Sequence, residues 1–295
     1  MKVVAITGAG GVIATELIRI LAQSPDNYYV YAISTHVDNI KKNYNDYYNV
    51  GCVDLDQFAK IGEIHVDVVV HCAFSRNGNG KHMASSLRYT EALLRIVKKM
   101  DIDCFIYISS QSIYDENVPS PRGEDCPIAP NSIYALGKYA GELLVEALFK
   151  DSRIKYTCIR LASVSNNARF LQVFVKNALE GNPIIVMGGR QKCSFIDVRD
   201  AASALKEVIK LYHLIKLDPI YNLGINIQRD ILSLADDVKR IIKNEFGKEV
   251  EVIQQPSDLF LDAGMDATLF FKTFDWQPQY DYDDMIRSLI NSINI

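Results

Sequence analysis

The chain has 295 residues, 48% of them hydrophobic, enough to bury a sizeable core in one large domain or two modest ones. Its 32 basic and 36 acidic residues leave a formal net charge of −4, so no basic excess exists to neutralise a phosphodiester backbone, and nucleic acid is excluded as a partner. No apolar run reaches the roughly 18 residues of a membrane span, and "MKVVAIT" enters a strand without a leader-like segment, so a membrane partner is excluded too and a cytoplasmic location is expected.

The first predicted element is the strand "KVVAIT". It runs into "TGAGGVIA", which opens the helical pattern "VIATELIRILAQ". A glycine-rich turn between strand and helix is a phosphate-binding arrangement. Gly8 permits the tight turn, Gly11 lets the backbone approach a pyrophosphate beside the helix start at Val12 and Ile13, and Ala14 packs the helix on the sheet. The expected cofactor is a dinucleotide.

The second strand, "YYVYAIS", ends at Ser34, where an Asp or Glu would bind a ribose 2′-hydroxyl. Ser34, Thr35 and His36 offer hydrogen bonds without negative charge, and Lys41 and Lys42 follow, so the sequence favours NADP over NAD. The alternative is that Asp38 swings in to bind NAD. "NYNDYYNV" reads as a surface loop leading towards a third run, "VGCVDL". There Asp54 and Leu55 are placed to touch an adenine, unless Asp54 simply terminates the strand.

Three further strands, "VDVVVHCA", "CFIYISS" and "YTCIRLA", are near-continuously apolar, as strands buried on both faces are. Between them "SSLRYTEALLRIVKKM" and "NSIYALGKYAGELLVEALFK" carry apolar residues at three-and-four spacing. This alternation predicts right-handed crossovers and an α/β fold: a Rossmann doubly wound parallel sheet over residues 1–160, with later segments returning to it. Residues 161–295 mix helices ("ARFLQVFVKNALEG", "LSLADDVKRIIKNEFG") with short strands ("NPIIVM", "IYNLG", "EVEVIQQ") and read mainly as a smaller α/β substrate-binding lobe.

"SSQSIY" closes the fifth strand and "YALGK" follows on the next helix. A phenol of ordinary pKa about 10 is a poor acid or base near pH 7, and an ammonium four residues along the same helix face lowers it. Tyr134 and Lys138 have that spacing, and Ser110 at the strand end is placed to hydrogen-bond a substrate oxygen.

At these residues the sequence resembles the extended short-chain dehydrogenase/reductases, the NAD(P)-dependent epimerase/dehydratase group that acts mostly on nucleotide sugars. "DVVVHCAF" looks like the D-x-V-x-H-x-A-A segment and would set Ala73 near the nicotinamide ribose. "SSQSIY" looks like S-S-x-x-V-Y, and "PNSIYALGKYAGE" like P-x-x-x-Y-x-x-x-K-x-x-x-E. "CIRLASVSN", "SFIDVRDAA", "IYNLG" and "FDWQPQYDYDDMIRSLI" follow in the family's order. The resemblance implies that Tyr134 is the general acid/base, that Lys138 binds the nicotinamide ribose and tunes Tyr134, and that Ser110 positions the reacting oxygen. It also implies a homodimer through the two long helices flanking the fifth strand.

Departures from the pattern narrow the chemistry. Family dehydratases carry Asp-Glu after the catalytic hydroxyl, where this chain has Gln111 and Ser112, so dehydration is not expected. Members that epimerise beside a ketone carry a cysteine where Ser112 stands. Hydride transfer at one carbinol carbon remains, as a 4-keto-sugar reductase, as a 4-epimerase with tightly held NAD, or, in a different class, as the idle apparatus of a non-catalytic NADP-binding regulator. The arginines that grip a nucleotide diphosphate in the family align with Cys193 and Gln255, and two asparagines with Ser163 and Ser86. Arg169, Arg190 and Lys192 are candidate replacements. His71 reads as structural or as support for the cofactor site. His36, His65, His82 and His213 show no ligand spacing, so no metal centre is expected. The six scattered cysteines read as reduced core filling.

Overall fold

A computed structural model describes residues 1–62, 64–76, 78–258 and 262–293. Strand and helix alternate from the start: β1 (Lys2–Thr7), α1 (Val12–Ala22), β2 (Tyr28–Ile33), α2 (Val37–Tyr44), β3 (Val50–Val53), α3 (Leu55–Ala59), β4 (Val66–His71), α4 (Gly80–Val97), β5 (Ile102–Ser110), α5 (Ile133–Phe149) and β6 (Lys155–Leu161). There follow β7 (Ser163–Val164), α6 (Arg169–Glu180), β8 (Ile184–Met187), β9 (Lys192–Cys193), β10 (Phe195–Ile196), α7 (Val198–Leu211), β11 (Ile220–Leu223), β12 (Arg229–Asp230), α8 (Ile231–Phe246), β13 (Val252–Gln255), α9 (Thr268–Phe274) and α10 (Tyr282–Ile293).

The chain divides into two compact units. The first comprises residues 1–113, 128–160 and 202–221. It is built on a seven-stranded sheet of order β11-β6-β5-β4-β1-β2-β3, in which β1 pairs with β2 and β4, β2 with β3, and β4 with β5, all parallel. The strand order reverses between β1 and β4, the switch point outside whose carboxyl ends ligands bind in doubly wound sheets. β4 and β5 are almost wholly buried because helices cover both faces, which explains their unbroken apolar runs. Val66, Val69, Phe105 and Tyr107 pack there against Leu93, Leu94 and Val97 of α4 and Val145 and Phe149 of α5. Each such side chain contributes about 1.5–3 kcal/mol of apolar burial.

The second unit comprises residues 114–127, 161–201 and 222–295. Its core gathers Leu171 and Val175 of α6, Leu234, Val238 and Ile241 of α8, and Ile286 and Leu289 of α10 on Ile184 and Val186 of β8, which pairs in parallel with β13.

Three readings change. "IYNLG" forms β11 on the edge of the large sheet, where all but Ile220 of its residues are buried, rather than a strand of the lobe. α4 begins at Gly80, five residues before the apolar pattern starts at Ser85, because the Asn79 side chain accepts the His82 backbone N–H (3.0 Å) and caps it. "NYNDYYNV" is not wholly a loop: Tyr44 ends α2 and is buried. Among the described residues no helix is long and apolar enough to cross a membrane.

Candidate active site

The glycine turn after β1 is built by the approach of β4. Gly8 has φ +71°, and a Cβ on it would lie 2.9 Å from the Ala73 Cα and N, so backbone fills the place of a side chain. Ala73 N–H donates to Thr7 Oγ1 (3.3 Å), which bonds His71 Nδ1 (2.7 Å). On the other side of the ring, His71 Nε2 meets Thr90 Oγ1 (2.8 Å), whose hydroxyl is spent on the Ser86 carbonyl (2.9 Å). His71 therefore donates from Nε2 and accepts at Nδ1 as a neutral ring. Burial, aided by the Lys138 charge, pulls its pKa down to about 3. From α2, the Tyr44 hydroxyl donates to Ala9 O (2.7 Å) and pins the turn from outside.

Gly11 is the N-cap of α1 and has no side chain to cap the helix, while its own N–H bonds Gly8 O (2.8 Å). The N–H groups of Val12 and Ile13, at an exposed and a half-buried position, then have no side-chain cap before them. A groove of about 490 Å³ opens there, lined by Gly8, Gly10, Gly11, Ser34, Thr35, Ala73, Phe74 and the α4 residues His82, Ser85, Ser86 and Tyr89, among others. The uncapped helix start, the glycine cradle and the size of the groove fit a dinucleotide.

At the end of β2, Ser34 Oγ accepts the His36 backbone N–H (3.0 Å) and Thr35 Oγ1 lies 3.0 Å from His36 Nδ1. Asp38 is exposed and paired with Lys41 (3.0 Å), so no carboxylate is held at Ser34. Asp54 starts the next helix. Its side chain accepts the Gln57 N–H (2.7 Å) while Gln57 returns a bond to the Asp54 backbone, a capping box that starts α3. Neither Asp54 nor Leu55 lines the groove.

Ser110, Tyr134 and Lys138 come together beside Phe74. α5 is started by Ser132, which caps Ala135 N–H (3.1 Å), and it presents Tyr134 and Lys138 one turn apart. The Ser110 hydroxyl hydrogen-bonds the Tyr134 phenol and lies 3.0 Å from the Ser112 hydroxyl. Helix and strand meet closely because Gly141 leaves room for Tyr107, whose hydroxyl any Cβ there would strike. Lys138 is buried and donates to Ile108 O (2.6 Å). Burial brings its pKa down to about 7, with Cys72 and Glu142 opposing and Arg76 adding to the fall. Lys138 is not among the influences that shift Tyr134 most. Burial raises the phenol, and the opposing influences are the Arg76 guanidinium and the Ser110 hydrogen bond. The lysine is turned onto a carbonyl 30 residues away in sequence, which its spacing from the tyrosine could not reveal.

Phe74, Arg76, Tyr44 and Thr90 were absent from the sequence reading. Phe74 alone left a signal, a large ring where the resembled motif has a small residue. In the second unit, Cys193 is buried with its thiol on Arg229 O (3.4 Å), while Gln255, Ser163, Arg169, Arg190 and Lys192 are exposed. Ser86 is buried and its hydroxyl accepts Ser75 N–H (3.0 Å). The cysteines form no disulfide, and Cys52, Cys72 and Cys126 are only partly buried. His65 does meet Asp67 and Asp103, which the sequence spacing hid. Its two ring nitrogens face Asp101 (2.9 Å) and Asp103 (3.3 Å), and Tyr212 donates to Asp67 and Asp103 (3.3 and 2.9 Å), so the cluster is an ion-pair network at the amino ends of β4 and β5.

Comparison with known proteins agrees with this architecture. The model of the NAD dependent epimerase/dehydratase family matches residues 4–224. A putative UDP-glucose 4-epimerase of Methanocaldococcus jannaschii is 27% identical, over 97% of this chain and 96% of its own. Two solved structures share the fold. The UDP-glucuronic acid 4-epimerase of Bacillus cereus, in complex with UDP-glucuronic acid and NAD, is 21% identical, with 99% of each chain covered and a TM-score of 0.79. The dTDP-glucose 4,6-dehydratase of Bacillus anthracis, in complex with NAD, is 20% identical, with 100% of this chain and 97% of its own covered and a TM-score of 0.81.

Proposed function

The chain belongs to the NAD dependent epimerase/dehydratase family of short-chain dehydrogenase/reductase enzymes, and from that premise we propose that it is a nucleotide-sugar 4-epimerase that keeps NAD bound through turnover. The observation that carries this reading is the meeting of Ser110, Tyr134 and Lys138 with only an amide and a hydroxyl, Gln111 and Ser112, after Ser110. Loss of water from a sugar needs an acid and a base beside the oxidised carbon, and no carboxylate follows the catalytic hydroxyl here. The names of the M. jannaschii relative and of the B. cereus neighbour support epimerisation over the reductase expected first.

When bound, the dinucleotide would supply a reversible hydride acceptor. The protein's part is to move a proton and hold an oxygen. The Tyr134 phenol exchanges a proton with the sugar 4-oxygen while the Ser110 hydroxyl hydrogen-bonds the same oxygen and aligns it. Lys138, buried on α5 with its Nζ 6.0 Å from the Tyr134 ring, brings positive charge near the phenol. Gly8, Gly11 and the start of α1 would receive the pyrophosphate, and Ser34 and Thr35, which line the same groove, would meet the adenosine ribose.

A second reading, a reductase that exchanges NADPH, is favoured by one feature, the absence of a carboxylate held at Ser34. NAD in the structural neighbours and the family's description weigh the other way. Exposed Ile133, Leu136 and Leu143 on α5 also suit pairing with a second copy of the chain.

The test is to incubate the purified protein with UDP-glucose, UDP-N-acetylglucosamine and UDP-glucuronic acid and follow the anomeric proton signals. A 4-epimer formed with flat absorbance at 340 nm supports epimerisation. Stoichiometric NADPH consumption with a 4-keto sugar, and no epimer, replaces it with the reductase.

A further inference from the structure

Three aromatic rings surround the Lys138 ammonium. Nζ lies 4.5 Å from the Phe74 ring centroid, 5.2 Å from that of Tyr107 and 6.0 Å from that of Tyr134. The rings come from three different elements: the segment after β4, β5 itself and α5. One N–H of the ammonium is satisfied by Ile108 O (2.6 Å), and an ammonium has two more.

Among the described residues no carboxylate is bonded to this buried charge, and the groups that favour it electrostatically are Cys72 and Glu142. From α5, Glu142 faces it, but that carboxylate is bound at two points by Arg160 (2.9 and 3.2 Å). From β4, His71 is a neutral ring, and burial pushes the Cys72 thiol up to about 12, so neither is charged near neutral pH. Arg76 brings a like charge, and the phenols of Tyr107 and Tyr134 are both raised and protonated. Beside the Ile108 carbonyl, the groups closest to the cation are the negative faces of the rings.

We propose that Phe74, Tyr107 and Tyr134 form an aromatic cage for the Lys138 ammonium, with Phe74 the positioning residue that keeps it charged and aimed at the end of β5. Phe74 is itself wedged. A Cβ on Gly137 would lie 2.9 Å from Phe74 Cζ and 2.8 Å from Met83 Cγ, and the ring stands edge-on to Tyr134 at 6.0 Å. A lysine stem is flexible, and a fixed ring removes that freedom at the point where the ammonium must sit. Phe74 also lines the dinucleotide groove, so the cage joins the cofactor site to the proton-exchanging tyrosine.

The catalytic meaning of the cage rests on the function proposed above, whereas its existence does not, and the experiment separates the two. In protein labelled with ¹³C at lysine Cε, the Lys138 signal, assigned with Lys138→Met, is titrated in wild type, in Phe74→Leu and in Phe74→Tyr. Phe74→Leu should lower the midpoint by about one pH unit, while Phe74→Tyr keeps it near the wild-type value. Pentafluorophenylalanine at position 74 retains the shape and reverses the charge of the ring face, so it should lower the midpoint even if Phe74→Leu folds poorly. An unchanged midpoint in the fluorinated protein overturns the cage. If the titrations bear out the cage, the alkaline limb of the kcat profile in Phe74→Leu should move to lower pH with the midpoint. A midpoint that falls while activity keeps its pH profile leaves the cage standing and removes Lys138 from catalysis.

Discussion

Gly8 and Ala73 approach so closely that a methyl group on Gly8 would sit 2.9 Å from both the Cα and the backbone nitrogen of Ala73. The contact ties the turn after β1 to the end of β4, the two strands between which the sheet changes direction. The groove therefore exists because one residue has no side chain and a left-handed φ of +71°.

Gly8→Ala should lower stability by roughly 1–3 kcal/mol from backbone strain alone, with the clash added, and should weaken dinucleotide binding at least tenfold. Thermal unfolding and a fluorescence titration with NAD check both. Unchanged affinity would mean that the groove is not the cofactor site.

His71 makes the fold sensitive to acid. Its pKa is about 3 in the folded protein against an ordinary value of 6.5, so the unfolded chain takes up a proton between these limits that the folded protein refuses. Stability is whole above pH 6.5 and falls as the pH drops towards 3, by up to about 5 kcal/mol if no other group intervenes. Urea midpoints measured from pH 7 to pH 4 should fall steadily. His71→Gln should start lower at pH 7, because the bonds to Thr7 and Thr90 are broken, and show a shallower slope.

Glu142 and Arg160 are almost completely buried and bonded to one another at 2.9 Å. Removing one partner strands a charge, so Glu142→Ala should cost about 3–5 kcal/mol by chemical denaturation, while Glu142→Met with Arg160→Leu should recover most of it. If the single change costs under about 1 kcal/mol, the pair is not desolvated as described.

Tyr134→Phe removes the oxygen proposed to exchange the proton and leaves the ring beside Lys138. It should lower kcat by about 10²–10⁴-fold, with NAD affinity within a few-fold of wild type. Ser110→Ala should cost less, because Tyr134 keeps its oxygen. A Tyr134→Phe protein with wild-type activity ends the assignment.

Much of the frame was legible because single stretches carry their cause on their face. "VDVVVH" is apolar without alternation since β4 is covered on both sides, and Tyr134 and Lys138 lie four apart on one helix. α2 was not legible because its helical spacing of Val37, Ile40 and Tyr44 spans only eight residues and runs into the polar, tyrosine-rich stretch after it. The capping role of Asp54 was not legible because a capping carboxylate and a binding carboxylate are the same residue in sequence, and the reciprocal bond from Gln57 shows only in the fold. The Lys138 bond to Ile108 and its ring neighbours join α5, β5 and the segment after β4, and no local pattern encodes a contact between three elements.

The central claim is that Ser110 and Tyr134 serve a hydride that leaves and returns to one sugar carbon. The most direct measurement is the conversion of UDP-glucose, UDP-N-acetylglucosamine and UDP-glucuronic acid by the full chain in deuterium oxide, with proton and deuterium spectra of the products. The account predicts a 4-epimer whose C4 hydrogen is protium, since the hydride never exchanges with solvent. Deuterium at C4, or an epimer formed equally well by Tyr134→Phe, would contradict it.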